Sequence, residues 1–276
     1  MIHSKNIRAD LLLFVFATFL LAFTGCKETN QKPTPDQSKG ALKLRGYDFD
    51  EKSFLRAAST SDEVAVRTFI DAGMSPNIPE PTNGGSALIS AATRGDLEMV
   101  NALLQGGADV NQKDEKRFTA LLRALQNDRE EIANLLVARP ELDVNAQGEG
   151  GANALISFVA RQRLPAVQDL LNRGANVNLP DSDGDTALNI AVQRGNVELV
   201  NLLLSKGADP NIKNKLGGTP LMWAGVFGHK EIAQILLDKG ADPRAKDVDG
   251  MTAAAWAAKN NRQEMVEFLK QAETKR

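Results

Sequence analysis

Residues 180–212 read PDSDGDTALNIAVQRGNVELVNLLLSKGADPNI and contain one complete structural unit. Asp183-Gly184 is typical of a tight turn, and Thr186 stands just before an apolar segment, where its hydroxyl can cap the start of a helix. That segment is apolar on nearly every side, so a helix formed by it must pack between neighbours. Gly195 can adopt the left-handed conformation that ends the helix, and a second, leucine-rich helix follows over residues 197–204. The stretch therefore predicts a turn, a helix, a second turn and a second helix.

Near-copies of this unit recur through most of the chain. An apolar position in each first helix returns every 33 or 34 residues, and the residue fifteen positions after it is apolar in all seven copies. The first set is Phe54, Leu88, Leu121, Leu155, Leu188, Leu221 and Ala254, and the second is Phe69, Leu103, Leu136, Leu170, Leu203, Leu236 and Leu269. Stacked units of this kind share one continuous core, so the sequence predicts a single elongated all-α domain.

The repeated unit resembles the ankyrin repeat. Thr219-Pro220-Leu221-Met222-Trp223-Ala224 is similar to the T-P-L-H-x-A signature of that family, with Met222 in place of the usual histidine. Gly207-Ala208-Asp209-Pro210-Asn211 is similar to the usual ending of the repeat. The resemblance covers residues 47–273. It implies an all-α ankyrin-repeat solenoid of about seven repeats with short β-hairpin turns, and a concave face that binds other proteins.

Repeats three and four depart most from the pattern. Arg117 stands where the turn glycine is expected, Phe158 replaces the small inner alanine, and Pro165 falls in the first turn of a second helix, where proline is tolerated. We expect irregular curvature there. The degenerate first repeat, which begins at Tyr47, and repeat seven have polar outer faces typical of the terminal repeats that cap such a stack.

Composition argues against several classes of function. The formal net charge is −2, so no basic excess would draw the chain onto nucleic acid or an anionic membrane. Apart from His3, the one histidine is His229, and the one cysteine is Cys26. These counts exclude metal sites of the Cys/His type and the usual Cys–His or Ser–His–Asp nucleophile sets. We expect no cofactor, no metal, no small-molecule substrate and no enzymatic activity, and the resemblance implies a packing role for His229.

The N-terminus has the pattern of a bacterial lipoprotein signal peptide. Lys5 and Arg8 precede a thirteen-residue apolar run over residues 11–23, which is too short for a bilayer core of about 30 Å but ordinary for a signal peptide. Gly25 before Cys26 resembles a lipobox, in which the cysteine takes a diacylglyceryl group. We therefore expect a signal peptide over residues 1–25 and lipid attachment at Cys26. An ordinary secretory signal and an uncleaved anchor are the alternatives.

A polar segment separates the proposed lipid site from the repeats. Residues 26–46 contain two prolines and almost no large apolar residue before Leu42, so they are predicted to be a disordered tether. The ankyrin domain is then expected to span residues 47–273, with residues 274–276 as a C-terminal tail.

The resemblance places the hairpin tips and the exposed sides of the first helices on the concave face. Trp223 and Phe227 are four residues apart on one helix and Trp256 lies one repeat away, which predicts an aromatic patch near the C-terminal end. Packing of the tryptophans between repeats, and a merely solvated arginine face, are the alternatives. The candidate partner-binding residues are Arg94, Phe118, Arg161, Arg194, Trp223, Phe227, Met251 and Trp256.

The favoured hypothesis is a monomeric, lipid-anchored envelope protein whose ankyrin domain faces the periplasm or the outside and binds a protein partner. Lys27 follows Cys26 where many inner-membrane lipoproteins have aspartate, which slightly favours the outer membrane. The resemblance implies an immunity or inhibitor role, or an accessory role in stress defence, and leaves the choice between them open. The alternatives are a self-associating structural envelope component and an enzyme with an unrecognised carboxylate site.

Overall fold

The computed structural model of the protein describes residues 32–275. This range contains fifteen α-helices and one short 3₁₀ turn, Glu149–Gly151. Helices α2 to α15 form seven consecutive pairs, one pair for each predicted repeat. The helices are α1 (Pro35–Leu44), α2 (Glu51–Ser59), α3 (Glu63–Asp71), α4 (Ala87–Arg94), α5 (Leu97–Gln105), α6 (Ala120–Gln126), α7 (Glu130–Val137), α8 (Ala154–Ala160), α9 (Leu164–Asn172), α10 (Ala187–Gln193), α11 (Val197–Ser205), α12 (Pro220–Phe227), α13 (Lys230–Asp238), α14 (Ala253–Lys259) and α15 (Gln263–Lys275).

The two predicted sets of apolar residues form the core. All seven first-helix positions are at most 4% exposed, and all seven second-helix positions are fully buried. They belong to one hydrophobic cluster that extends from Leu42 in α1 to Leu269 in α15. Because each repeat contacts its neighbours through this cluster, no repeat has a closed core of its own. The predicted helical solenoid and its period are confirmed.

Short polar side chains begin most of the first helices. Thr219, for example, caps α12, because its hydroxyl oxygen accepts a hydrogen bond from the backbone N–H of Met222 in the first turn. The predicted cap at Thr186 is wrong, because its hydroxyl donates instead to Asn189 Oδ1 at 2.8 Å. Asn189 in turn donates to Asp185 Oδ1 at 3.0 Å, so a side-chain network replaces the cap in repeat five.

Hairpin loops connect the repeats along one edge. The backbone N–H of Lys215 donates to the carbonyl of Asp183 at 2.8 Å, and that of Val248 donates to the carbonyl of Leu216 at 3.1 Å. Equivalent bonds join the earlier loops. The loops contain two isolated antiparallel bridges, and residues 32–275 form no extended strand. In repeat three Arg117 adopts φ of 64°, the left-handed conformation for which a glycine was expected.

An N-terminal helix lies within the predicted tether. Thr34 and Gln37 form a capping box, Pro35 occupies the first turn, and Leu42 is fully buried against the first repeat. The prediction of disorder is therefore wrong for residues 35–44, and the folded domain begins near residue 35 instead of Tyr47. Helix α1 covers α3, so it takes the capping role predicted for the first repeat. Residues 26–31 lie outside the described residues.

The two ends of the chain differ from the predicted boundaries. Helix α15 continues to Lys275, so residues 274 and 275 extend the last repeat and do not form a separate tail. The predicted signal peptide and Cys26 lie outside the described residues. Between residues 32 and 275, no helix has both the length and the hydropathy that a bilayer span requires.

Candidate protein-binding face

Seven first helices and the hairpin loops before them form one side of the solenoid, which we call the concave face. First helices of adjacent repeats pack directly against each other, for example α12 against α14. Their inward residues are buried, and the side chains on the opposite side remain partly exposed. Side chains that face outward here recur every 33 or 34 residues, so they stand in rows across the repeats.

Aromatic side chains gather near the C-terminal end of this face. The rings of Trp223 and Phe227 stack with centroids 6.2 Å apart and planes inclined by 23°. Phe227 also stacks on His229, with centroids 5.8 Å apart, and its side chain is 41% exposed. Trp256 and Trp223 line the same recess. The predicted grouping of the three aromatic residues is confirmed, and their role in binding stays a prediction.

A small apolar recess opens between repeats six and seven. It has a volume of about 100 Å³, and its walls include Leu216, Met222, Trp223, Val226 and Trp256. At the adjoining hairpin tips, Leu216 is 70% exposed and Val248 is 67% exposed. We call the exposed apolar group around this recess the C-terminal patch; it consists of Leu216, Trp223, Phe227, Val248 and Trp256.

The two tryptophans of the patch differ in their hydrogen bonding. Trp256 Nε1 donates to Asp247 Oδ2 at 2.7 Å, while Asp247 Oδ1 accepts the backbone N–H groups of its hairpin. In repeat six the residue equivalent to Asp247 is Asn214, nine positions before Trp223. Asn214 Oδ1 accepts from its own hairpin, and its Nδ2 donates to Asp185 Oδ1 at 3.1 Å.

The amide of Asn214 therefore offers no acceptor to Trp223. Trp223 Nε1 is buried and has no hydrogen-bond partner within residues 32–275. An unsatisfied buried donor costs about 1–3 kcal/mol, so this atom is an energetic defect in the free protein.

Asp247→Asn should reproduce this defect in repeat seven. The variant removes the carboxylate oxygen that accepts from Trp256, and the free energy of unfolding at pH 7 should fall by about 1 kcal/mol. Urea unfolding followed by tryptophan fluorescence measures the change. The matched control is Asp249→Asn, at an exposed hairpin position, which should leave the stability unchanged.

The difference in stability between the wild type and Asp247→Asn should depend on pH. Partial burial raises the pKa of Asp247. Hydrogen bonds donated by the backbone of Met251 and by the Trp256 indole oppose this effect, and the net pKa lies below the ordinary 3.8. A lowered pKa means that the stability from Asp247 is present above pH 3.8 and is lost as the pH falls through the folded-state pKa. The difference between wild type and Asp247→Asn should therefore vanish in acid. A difference that persists there would contradict this assignment.

Two of the three candidate arginines already have partners within the protein. Arg94 donates to the carbonyl of Ala58 at 2.8 Å, and Arg161 donates to the carbonyl of Leu125. Both carbonyls belong to the C-terminal end of the preceding first helix, where a cation is favourable. Arg194 is exposed and makes no side-chain hydrogen bond or ion pair in the described part of the chain. Partner binding by these arginines stays a prediction.

Phe118 is not available for binding. Its side chain is only 6% exposed, the guanidinium of Arg123 lies 4.2 Å from the ring centroid, and the ring packs on Gly148. The prediction of a partner contact at Phe118 is therefore wrong, because this hairpin residue belongs to the core. Met251 is partly exposed, and its backbone pairs with Asp247 across the hairpin. A binding role for Met251 stays a prediction.

The acidic hairpin of repeat five forms a turn. Asp181 Oδ1 accepts the backbone N–H groups of Asp183 and Asp185 at 2.9 and 3.0 Å. Burial raises the pKa of Asp185, and the neighbouring carboxylates raise it further, although donation by Asn214 opposes the shift. Within residues 32–275, no group of three or more His, Cys, Asp or Glu side chains is arranged to hold a metal ion.

A family model for ankyrin repeats matches the chain three times, over residues 54–148, 141–214 and 206–275. The chain belongs to the ankyrin repeat family. Ankyrin repeats are protein-interaction modules, and the match indicates no catalytic family.

Several ankyrin repeat proteins are similar to this one. A putative ankyrin repeat-containing protein of Treponema pallidum is 32% identical over 146 residues, which are 52% of this chain and 48% of that protein. The chain spans less than half the length of the curated relatives it matches. Among solved structures, an ankyrin repeat domain of Acinetobacter baumannii has a TM-score of 0.59 and 29% identity, covering 67% of this chain and 96% of that one.

A chain from a solved complex is similar to this protein to about the same extent. The complex contains a predatory endopeptidase of Bdellovibrio bacteriovorus and an immunity protein. The match has a TM-score of 0.58 and 29% identity, and it covers 67% of this chain and 96% of that chain. The match therefore includes nearly the whole of that chain and about two thirds of this one.

Sequence reasoning missed two members of the C-terminal patch, Leu216 and Val248. Each of them is an apolar residue at a hairpin tip of an ankyrin repeat, where polar residues are usual, and this difference could have identified them. Asp183 and Asp249 occupy the position of Leu216 in the adjacent repeats. A comparison of hairpin tips between repeats would have identified both residues.

Proposed function

We propose that this ankyrin repeat protein is a lipid-anchored component of a bacterial envelope that binds another protein through the C-terminal patch of its concave face. The observation that carries the proposal is the clustering of exposed apolar side chains. Six large apolar residues are exposed in the described range, and three of them, Leu216, Phe227 and Val248, belong to this patch. Scattered apolar residues are ordinary on a surface, whereas a contiguous group beside a recess is typical of an interaction site.

The chemistry of the patch favours a protein as the partner. Binding energy in protein interfaces concentrates on a few tryptophan, tyrosine and arginine side chains that fill pockets away from water. Trp223 and Trp256 provide such anchors, and Arg194 adds an unengaged guanidinium on the same face in the preceding repeat. The remaining hairpin tips would supply the polar rim of the interface.

An immunity or inhibitor role is the finer form of the proposal. The likeness to a chain in the complex of a Bdellovibrio bacteriovorus endopeptidase and an immunity protein supports it. In this form the concave face would cover an enzyme that is active in the envelope. An accessory role in stress defence is the alternative. Inhibition of an envelope enzyme by the purified protein would favour the immunity or inhibitor role over it.

The envelope location rests on the N-terminal pattern. Lys5, Arg8, the apolar run over residues 11–23 and Cys26 support lipid attachment, with the outer membrane favoured by Lys27. Cys26→Ala should move the protein from the membrane fraction to the soluble fraction, because lipidation supplies the anchor in this proposal. Mass spectrometry of the native protein should show an acylated Cys26 as its first residue. An unmodified Cys26, with unchanged fractionation of the variant, would contradict the anchor.

Partner capture tests the binding proposal. Residues 32–276 should retain one specific protein from a membrane and periplasmic extract of the native cell. The double variant Trp223→Ala, Phe227→Ala should weaken capture at least tenfold, because loss of a hot-spot anchor costs about 2 kcal/mol or more. Thermal unfolding confirms that the variant is folded.

The matched control for capture lies at the other end of the same face. Thr93→Ala changes a partly exposed position of α4 without touching the patch, and its capture should equal that of the wild type. A folded double variant that captures the partner as well as the wild type would remove the patch from the proposal.

Self-association is the second candidate function. The exposed Leu216 and Val248 fit it, since an apolar patch can also pair with a second copy. Light scattering at high concentration should show a monomer if the patch serves another protein. A dimer that the double variant abolishes would favour the structural role instead.

A further inference from the structure

We propose that the recess between repeats six and seven holds one leucine-sized aliphatic side chain of the partner polypeptide, and that a neighbouring backbone carbonyl of the partner accepts a hydrogen bond from Trp223 Nε1. The inference rests on the proposed function and adds the chemistry that the patch recognises.

The size and lining of the recess define the apolar half of this ligand. Its volume is about 100 Å³ and nearly all of its lining is apolar. An apolar protein cavity of about 150 Å³ stays dry and binds benzene, so a recess of two thirds that volume suits one aliphatic side chain.

The unpartnered indole defines the polar half. More than nine in ten buried polar groups in proteins have a hydrogen-bond partner, so the buried Nε1 of Trp223, a side chain that lines the recess, is an exception. The equivalent indole of Trp256 has its partner in Asp247, which shows that this position of the repeat can satisfy the donor internally. Repeat six lacks that acceptor because Asn214 presents an amide to Asp185.

The charge at the recess selects the kind of acceptor. Asp247 lines the recess, so a partner carboxylate would meet a like charge in surroundings of low polarity. A neutral carbonyl oxygen avoids this repulsion. Leu216 is the most exposed residue of the lining, so it can change rotamer to admit the chain that carries the carbonyl.

Two indole N–H resonances make the proposal measurable. The chain has two tryptophans, and residues 32–276 include both of them and every described helix. In ¹⁵N-labelled protein, the Trp223 resonance should lie upfield of the hydrogen-bonded Trp256 resonance. Trp223→Phe assigns the pair by removing one of them. The probe is N-acetyl-leucine methylamide, and the matched control probe is N-acetyl-glycine methylamide, which has the carbonyls without the side chain.

The leucine probe should move the Trp223 resonance downfield in a saturable way and leave that of Trp256 in place. The glycine probe should bind at least about tenfold more weakly, because it buries no aliphatic side chain. Saturable shifts of the methyl groups that line the recess without a shift of the Trp223 N–H would overturn the hydrogen bond. No saturable shift from either probe would overturn the whole inference.

A swap of two residues supplies the missing acceptor internally. In the double variant Asp185→Asn, Asn214→Asp, the new carboxylate should accept from both Trp223 and the new amide, as Asp247 does from Trp256. Its Trp223 resonance should lie downfield without any probe, and its response to the leucine probe should fall at least about tenfold. An unchanged response would overturn the role of the indole.

Failure here is distinguishable from failure of the proposed function. Patch-dependent capture with no probe response would reject the recess chemistry alone. A probe response in a protein whose capture does not depend on Trp223 and Phe227 would reject the patch as the partner surface.

Discussion

Replacing Phe158 with alanine should lower the free energy of unfolding by about 3–5 kcal/mol. Alanine is the residue at this position in the other six repeats, so a comparison of repeats alone would expect a neutral change. The structure indicates otherwise, because Phe158 in α8 is 1% exposed and fills the core between repeats three and four. Removal of the ring would open a cavity next to a recess of about 40 Å³ that is lined in part by Ala124 and Ala133.

Urea unfolding at pH 7 measures this loss, and Phe227→Ala is its matched control. The same atoms are removed from Phe227, but its ring is 41% exposed, so the stability should change by less than about 1 kcal/mol. A similar small loss in both variants would contradict the account of repeat four, since it would show that the ring of Phe158 does not fill the core.

Gly225→Val should lower the free energy of unfolding by about 2–3 kcal/mol. Gly225 lies in α12, where a Cβ atom would stand 2.6 Å from the carbonyl oxygen of Ala253 at the start of α14. The oxygen belongs to the backbone, so a side chain at Gly225 must push the two helices apart. The damage should concentrate in repeat seven, which within residues 32–275 packs against repeat six.

Amide hydrogen exchange locates the effect of Gly225→Val. Protection should fall in α14 and α15 and remain near wild-type values in α4 and α5. The matched control is Gly40→Val in α1, where a Cβ atom would meet nothing within 4 Å. That variant should unfold no more easily than the wild type, because valine is the better helix former. Equal losses in the two variants would contradict the close approach of α12 and α14.

The repeat pattern predicted most of the fold because the same arrangement of apolar residues occurs in all seven repeats. Each pair of helices shows its buried side through residues such as Leu188 and Leu203, and agreement between copies outweighs local irregularities. Helix α1 lacked that support. Its start is marked by the capping box of Thr34 and Gln37, but its only large buried apolar residue is Leu42, so composition favoured a linker.

Exposure at the candidate site depended on neighbours that the repeat pattern does not specify. Phe118 is buried because Gly148 leaves room for its ring and Arg123 covers it. Leu216 is exposed although it is apolar, because a hairpin tip has no further layer to pack against. The unpartnered indole of Trp223 follows from the single exchange of aspartate for Asn214. These features become visible only when contacts between repeats are known.

Photo-crosslinking in the native cell tests whether the C-terminal patch is the partner surface. The photoreactive residue p-benzoylphenylalanine is placed at position 227, in the patch, and at position 234, on the exposed side of the second helix α13. Our account predicts a covalent adduct with one other polypeptide from position 227 and none from position 234. An adduct from position 234 alone, or the same adduct from both positions, would contradict it.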